Sequence, residues 1–144
     1  QSWIWPIDKW QQISGGIFLL MDIKIEQLRT SATVKNLLTR IKGIKSIQNW
    51  NVLCRWGFCL SIKQSSVPRM VDEKLDGIEI DYDTLVGKNK SIYTQLLINN
   101  LKHHNVEINK ENLTKYLYAH VNRGINIIYN YKMKSISDLY ETLK

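Results

Sequence analysis

The sequence predicts an α+β domain with a small, largely antiparallel sheet and helices packed against it, preceded by an extended N-terminal arm. Two kinds of segment alternate along the 144 residues: some with apolar residues at every second position, others with apolar residues at helical spacing. They follow no regular βαβ rhythm, which argues against a parallel sheet. Because this length suits one hydrophobic core, we assign 1–16 to the arm and 17–144 to a single domain.

Three elements are predicted in the first half of the domain. Alternation of apolar and polar residues over 17–26 predicts a half-buried strand. A helix is expected over about 31–44, because four apolar residues recur at i, i+3, i+4 and i+7. The segment NVLCRWGFCLSIK, 51–63, alternates again and is assigned as the clearest strand.

The second half begins with a loop around Pro68, which would interrupt any strand ladder. Two helices are expected in this half, and Asn109 is a suitable N-cap and Gly124 a suitable stop for the second of them. A last helix should begin at Ser135 or Ser137. The remaining elements are short strands at 77–82 and 125–133 and helices at about 91–104 and 110–122.

Positive charge is concentrated in the first half of the chain. The formal net charge is +7, and no acidic residue occurs between Glu26 and Asp72. Such a field attracts phosphate on nucleic acid or on anionic lipid, although a solvated basic face is the simpler alternative. The predicted helix carries the residues that we assign to binding phosphate or an acidic partner: Lys35, Arg40, Lys42 and Lys45.

An aromatic cluster, SWIWPIDKW, occupies residues 2–10. Three interpretations are open: a lid on the protein's own core, a contact with another copy of the chain, or a contact with a lipid surface. No apolar run is long enough to span a membrane, so any membrane contact would be peripheral. Self-association or membrane contact is assigned to Trp3, Ile4, Trp5 and Trp10.

Catalytic motifs are weak in this sequence. It lacks the patterns of a P-loop, a dinucleotide-binding turn, a nucleophile elbow or a zinc protease. A loose match to the metal-dependent restriction-type nucleases would use Asp8 and Asp22 to hold a divalent ion and Lys24 to stabilise charge. Glu79, Asp81 and Asp83 alternate on one predicted strand, but an exposed polar edge explains them better than a cation site. We expect no enzymatic activity, metal or cofactor.

The order of IFLLMDIKIEQL, TVKNLLTRIKGI, NVLCRWGFCLSIK and the terminal ISDLYETLK resembles the core of a rhabdovirus matrix protein. This resemblance implies a non-enzymatic viral structural protein that self-associates and bridges nucleocapsid and membrane. Its expected partners are further copies of itself, nucleoprotein or RNA, and an anionic membrane surface. Its expected location is the virion beneath the envelope, and the host cytoplasm or nucleus. The alternatives are a basic nucleic-acid-binding effector and the nuclease described above.

Overall fold

The computed structural model describes residues 23–45, 49–70 and 72–130, and the predicted α+β class is confirmed for them. The arm at 1–16 lies outside the described residues, so the predicted division of the chain is untested. A short 3₁₀ helix spans Gly87–Asn89. The other elements are β1 Gln27–Arg29, α1 Ala32–Lys45, α2 Trp50–Ile62, β2 Glu79–Asp81, α3 Tyr82–Val86, α4 Lys90–His103 and α5 Lys110–Asn130.

The sheet consists of β1 and β2 paired antiparallel, with Leu28 opposite Ile80. Both of these side chains are buried in the core, so one face of the sheet packs inward. The pairing continues at both ends, where the Tyr82 amide donates to the Glu26 carbonyl and the Thr30 amide to the Ile78 carbonyl, each at 2.9 Å. The sheet thereby joins the start of the described chain to its middle.

The centre of the fold is the contact between α2 and α5. Leu53 of α2 and Ile125 of α5 are fully buried there. Glycines face each other at the crossing, since a Cβ atom added to Gly57 would lie 3.1 Å from the Ile125 nitrogen and one on Gly124 would overlap the Gly57 carbonyl group. The two helix backbones therefore touch, and the absence of side chains at this point permits the approach.

The strand predicted at 51–63 is wrong, because this segment forms α2. Its buried residues follow the three- and four-residue spacing of a helix rather than alternation. Apolar residues occupy most positions of the segment, so a period of two and a period of 3.6 both fit the sequence. The residues that α2 buries are Leu53, Cys54, Gly57, Phe58, Leu60 and Ser61.

The strand predicted at 125–133 is also wrong for its described part, because α5 continues through Gly124 to Asn130. Gly124 was expected to end the helix, yet it lies inside the helix at the contact with α2. Ile125 and Ile128 are buried at helical spacing. Residues 131–133 and the helix expected from Ser135 or Ser137 lie outside the described residues.

The other predicted helices are confirmed, with α1, α4 and α5 beginning within one residue of their expected starts. The loop around Pro68 is confirmed, since 64–70 and 72–78 form no helix or strand. Of the strand predicted at 77–82, only 79–81 forms a strand. Of the strand predicted at 17–26, only residues 23–26 are described, and they form no strand. Within the described part of the chain, no helix is both long and apolar enough to cross a membrane.

Candidate nucleic-acid interface

Helix α1 separates apolar from basic residues around its axis. Val34, Leu38 and Ile41 are buried against the rest of the protein. Lys35 and Arg40 are exposed and Lys42 is half-buried, on the flanks that a rotation of 100° per residue predicts. We call Lys35, Arg40 and Lys42 the α1 basic face. The exposed surface between its flanks carries the uncharged polar residues Asn36 and Thr39, and the exposed Thr33 lies beside Arg40.

No carboxylate neutralises the α1 basic face among the described residues. Glu79 and Asp83, which were considered for a cation site, instead pair with basic side chains of their own surroundings. Four ion pairs form in the described structure, and none includes a residue of α1: Arg29–Glu79, Lys90–Asp83, Lys110–Glu26 and Lys115–Glu111. Among the described residues, the positive charge of α1 therefore has no carboxylate partner.

Two of the three cations are positioned by aromatic side chains. The Lys42 ammonium lies 5.4 Å from the ring centroid of Trp50, within the range of a cation–π interaction. The Arg40 guanidinium donates a long hydrogen bond of 3.4 Å to the Tyr129 hydroxyl. Neither contact removes the charge, and both leave the cation at the protein surface. Lys35 is exposed, and no such aromatic contact with it occurs among the described residues.

Most of the remaining predicted site residues lie outside the part of the chain that the structure describes. Lys45 is the last residue of α1, but its side chain lies outside the described part. The predicted contacts Trp3, Ile4, Trp5 and Trp10 also lie outside it, so their assignment stays a prediction. Asp8 and Asp22 of the nuclease hypothesis are likewise outside, and Lys24 is exposed. The described residues contain no group of three metal-ligating side chains.

A buried polar row that sequence analysis missed connects three helices. Ser61 of α2, His120 of α5 and Asn100 of α4 follow one another, with 2.7 Å from Ser61 Oγ to His120 Nδ1 and 2.7 Å from His120 Nε2 to Asn100 Oδ1. Arg123 Nε donates to Ser61 Oγ at 2.7 Å. The serine hydroxyl can then donate to Nδ1, and Nε2–H to the asparagine carbonyl, which satisfies a neutral imidazole.

The row resembles a nucleophile, base and orienting group in its geometry, but not in its access to solvent. Ser61 and His120 are each 0% exposed, so no substrate can reach the serine in this conformation. Burial, followed by the charges of Arg123 and His104, lowers the pKa of His120 to about 3. The row therefore holds the three helices together. It could not be found from the sequence because its members lie far apart in the chain and form no local motif.

The two cysteines are poorly suited to act as nucleophiles. Burial raises the pKa of the Cys54 thiol to about 12, against a smaller opposing effect of Arg55. Burial also raises the pKa of Cys59. Since the thiolate is the reactive form of cysteine, neither residue resembles an activated thiol.

The described structure thus defines a class: a small, basic α+β protein whose helical basic face has no carboxylate partner among the described residues. The family model for the DNA sulphur modification protein DndE matches residues 27–135, so the chain belongs to the DndE family. The crystal structure of DndE from Escherichia coli B7A, a protein involved in DNA phosphorothioation modification, shares this fold with a TM-score of 0.59 at 23% identity. That match covers 72% of this chain and 96% of that chain. No curated protein matches the chain.

Membership of the DndE family overturns the resemblance to a rhabdovirus matrix protein. The resemblance depended on an initial order of strand, helix and strand, and the second of those strands is the helix α2. The viral structural function and the location in a virion are therefore wrong as well. Family membership likewise gives no support to a viral nucleoprotein or a membrane as partners.

Proposed function

We propose that this protein is a non-catalytic component of a DNA sulphur modification system and holds DNA by its phosphate backbone. The observation that carries this proposal is the α1 basic face, whose three cations have no carboxylate partner in the described structure. The DndE family consists of DNA sulphur modification proteins, so DNA is the ligand that we expect. The phosphorothioation described for the Escherichia coli relative modifies the DNA backbone, which is the part that basic side chains contact.

The spacing of the cations supports contact with several phosphates. Lys35 and Lys42 are separated by seven residues, which corresponds to a rise of about 10 Å along a helix. Duplex DNA carries one negative charge per roughly 1.7 Å of its axis, so such a helix faces more than one phosphate. The hydroxyl of Thr33 and the side-chain amide of Asn36 can add hydrogen bonds to phosphate oxygens, whereas the Thr39 hydroxyl already donates to the Lys35 carbonyl at 2.9 Å. Contacts to phosphates carry no sequence information, so we expect little dependence on sequence.

The non-catalytic part of the proposal is supported by the surroundings of the nucleophilic groups. Transfer of sulphur requires a reactive sulphur species, and in a protein that role commonly falls to a cysteine thiolate. Burial raises the pKa of both Cys54 and Cys59 above the ordinary thiol value. The hydroxyl of Ser61 is buried. We infer that the sulphur chemistry belongs to other components and that this chain holds the DNA.

A matched pair of charge reversals tests the proposal. Lys35→Glu with Arg40→Glu removes two cations from the α1 basic face, while Lys74→Glu with Lys88→Glu removes two exposed cations elsewhere. Both variants lower the formal net charge from +7 to +3. Lys42 is left unchanged because it packs on Trp50.

We expect the α1 variant to bind a fluorescently labelled duplex at least about tenfold more weakly than the wild-type protein at low salt, because phosphate contacts are replaced by repulsion. The control should lose much less, since only its contribution to the overall field changes. Fluorescence anisotropy measures both affinities. Equal losses in the two variants would show that net charge alone acts, and unchanged binding of the α1 variant would place the DNA elsewhere.

A further inference from the structure

A groove of about 630 Å³ is lined by described residues of which none belongs to the α1 basic face. One wall is β1, a second is the first half of α5, and the third comes from the irregular segment between α2 and β2. Its volume is within the range of pockets that bind ligands. The lining residues are Glu26, Gln27, Arg29, Met70, Asp72, Leu75, Lys110, Thr114, Lys115 and Tyr118.

The main-chain groups of β1 that face away from β2 point toward this groove. In an antiparallel pair, successive residues direct their N–H and C=O groups alternately to the two sides. Glu26 and Thr30 bond toward β2 and its flanking residues, so Gln27 and Arg29 must direct theirs to the other side. Ser31 shares that side, and its amide donates to the Tyr118 hydroxyl of α5 at 3.1 Å. This bond shows that the outer edge of β1 faces α5.

Between Glu26 and Ser31 the outer edge is unpaired within the described chain. No described residue bonds the amide or carbonyl of Gln27 or Arg29 on that side. An unpaired strand edge is a template for another strand, since each of its residues presents one donor and one acceptor. The groove beside it provides the space for such a strand.

The side chains of the groove favour a peptide over a nucleic acid. Met70 and Leu75 are 40% and 44% exposed, which leaves apolar surface for the side chains of a partner to cover. The three cations of the lining are already paired with carboxylates, namely Arg29 with Glu79, Lys110 with Glu26 and Lys115 with Glu111. Asp72 adds a further negative charge. The groove therefore lacks the unneutralised positive charge that the α1 basic face offers.

We propose that this groove binds an extended peptide segment of a partner protein, which adds to β1 as a third strand. The peptide bonds to the amides and carbonyls of Gln27 and Arg29 and places alternate apolar side chains against Met70, Leu75 and Tyr118. DNA on α1 and a protein partner at β1 then contact different residues. The protein would thereby connect DNA to another component.

A displayed library of random octapeptides, selected on the full chain, tests this proposal. We expect enrichment of sequences that alternate apolar residues and lack proline, because a strand added at an edge needs its amides and one apolar face. A synthetic peptide of the enriched sequence should slow hydrogen exchange at the amides of Gln27 and Arg29. Leu75→Asp should weaken its binding about tenfold or more, because the change places a charge against apolar side chains.

Ile92→Asp is the matched control, since Ile92 is 60% exposed on α4 and does not line the groove. It should leave peptide affinity unchanged, and Leu75→Asp should leave DNA affinity nearly unchanged. Lys35→Glu with Arg40→Glu should bind the peptide as the wild-type protein does, which separates this proposal from the DNA proposal. The groove is not a peptide site if no sequence is enriched or if enriched peptides bind Leu75→Asp equally well. Slow exchange at both amides in the free protein would show that the edge is already occupied, and would also overturn the proposal.

Discussion

Gly124→Ala is expected to destabilise the protein by at least about 3 kcal/mol, although the same change in an ordinary helix stabilises it by about 1 kcal/mol. The new methyl group would overlap the carbonyl group of Gly57, which belongs to the backbone of α2 and cannot rotate away. The two helices must separate, and the buried contacts around Leu53 and Ile125 loosen with them. Urea denaturation followed by far-UV circular dichroism measures the loss.

Gly57→Ala is the informative comparison, because it changes the other glycine of the same contact. Its methyl group would lie 3.1 Å from the Ile125 nitrogen and 3.2 Å from the Gly124 carbonyl carbon. These contacts are tight but need a shift of only a few tenths of an ångström, so the destabilisation should be clearly smaller than that of Gly124→Ala. A Gly124→Ala protein as stable as the wild-type protein would contradict the close crossing of α2 and α5.

Acid should destabilise the fold through His120. The pKa of His120 in the folded protein is lowered to about 3, mainly by burial, from an ordinary value of 6.5. Above pH 6.5 the imidazole is neutral in both states and its contribution is constant. Between pH 6.5 and 3 the unfolded chain takes up a proton that the folded protein refuses, so stability falls as the pH is lowered. At about 1.4 kcal/mol per pH unit, the total approaches roughly 4 to 5 kcal/mol.

His120→Gln isolates this effect, because glutamine does not titrate. The variant will be less stable at neutral pH, since it cannot reproduce both hydrogen bonds of the imidazole with Ser61 and Asn100. Its disadvantage relative to the wild-type protein should shrink steadily between pH 6.5 and 4. The exposed carboxylates that are ion-paired, such as Glu26 and Asp83, affect both proteins alike. Parallel pH profiles of unfolding free energy would show that His120 is not the buried neutral group described here.

The elements that could be predicted from sequence are those in which polar and apolar residues are well separated. In α1, buried Val34, Leu38 and Ile41 alternate with exposed polar residues at helical spacing, and the predicted helix is confirmed. In α2 the solvent-facing side is also apolar at several positions, so the same residues fitted a strand. What decided between the two was packing against α5, which is contact information that local sequence does not hold.

Gly124 shows the same limit for a single residue. A glycine after an apolar helical pattern is a common stop signal, and the sequence was interpreted in that way. In the structure Gly124 lies against the backbone of Gly57, which is 67 positions earlier in the chain. Only knowledge of the crossing helices distinguishes a glycine that ends a helix from one that lets a second helix approach.

The candidate site was predictable to the extent that it depends on helical geometry. Lys35, Arg40 and Lys42 lie on the surface of α1 as the spacing implies. The aromatic partners of Arg40 and Lys42 were not expected, since Tyr129 and Trp50 belong to segments assigned as a strand or left unassigned. The groove was missed for a related reason: its walls come from β1, α5 and the segment around Met70, which are distant in sequence.

The salt dependence of DNA affinity shows whether α1 holds the phosphate backbone. Counterion release predicts that the logarithm of the binding constant falls linearly with the logarithm of salt concentration, with a slope of about −0.9 per phosphate contacted. We expect a clearly negative slope for the wild-type protein, and we expect Lys35→Ala and Arg40→Ala each to make it shallower by about one. Lys88→Ala should leave the slope unchanged. A slope that is the same in all four proteins would mean that α1 does not hold the phosphate backbone.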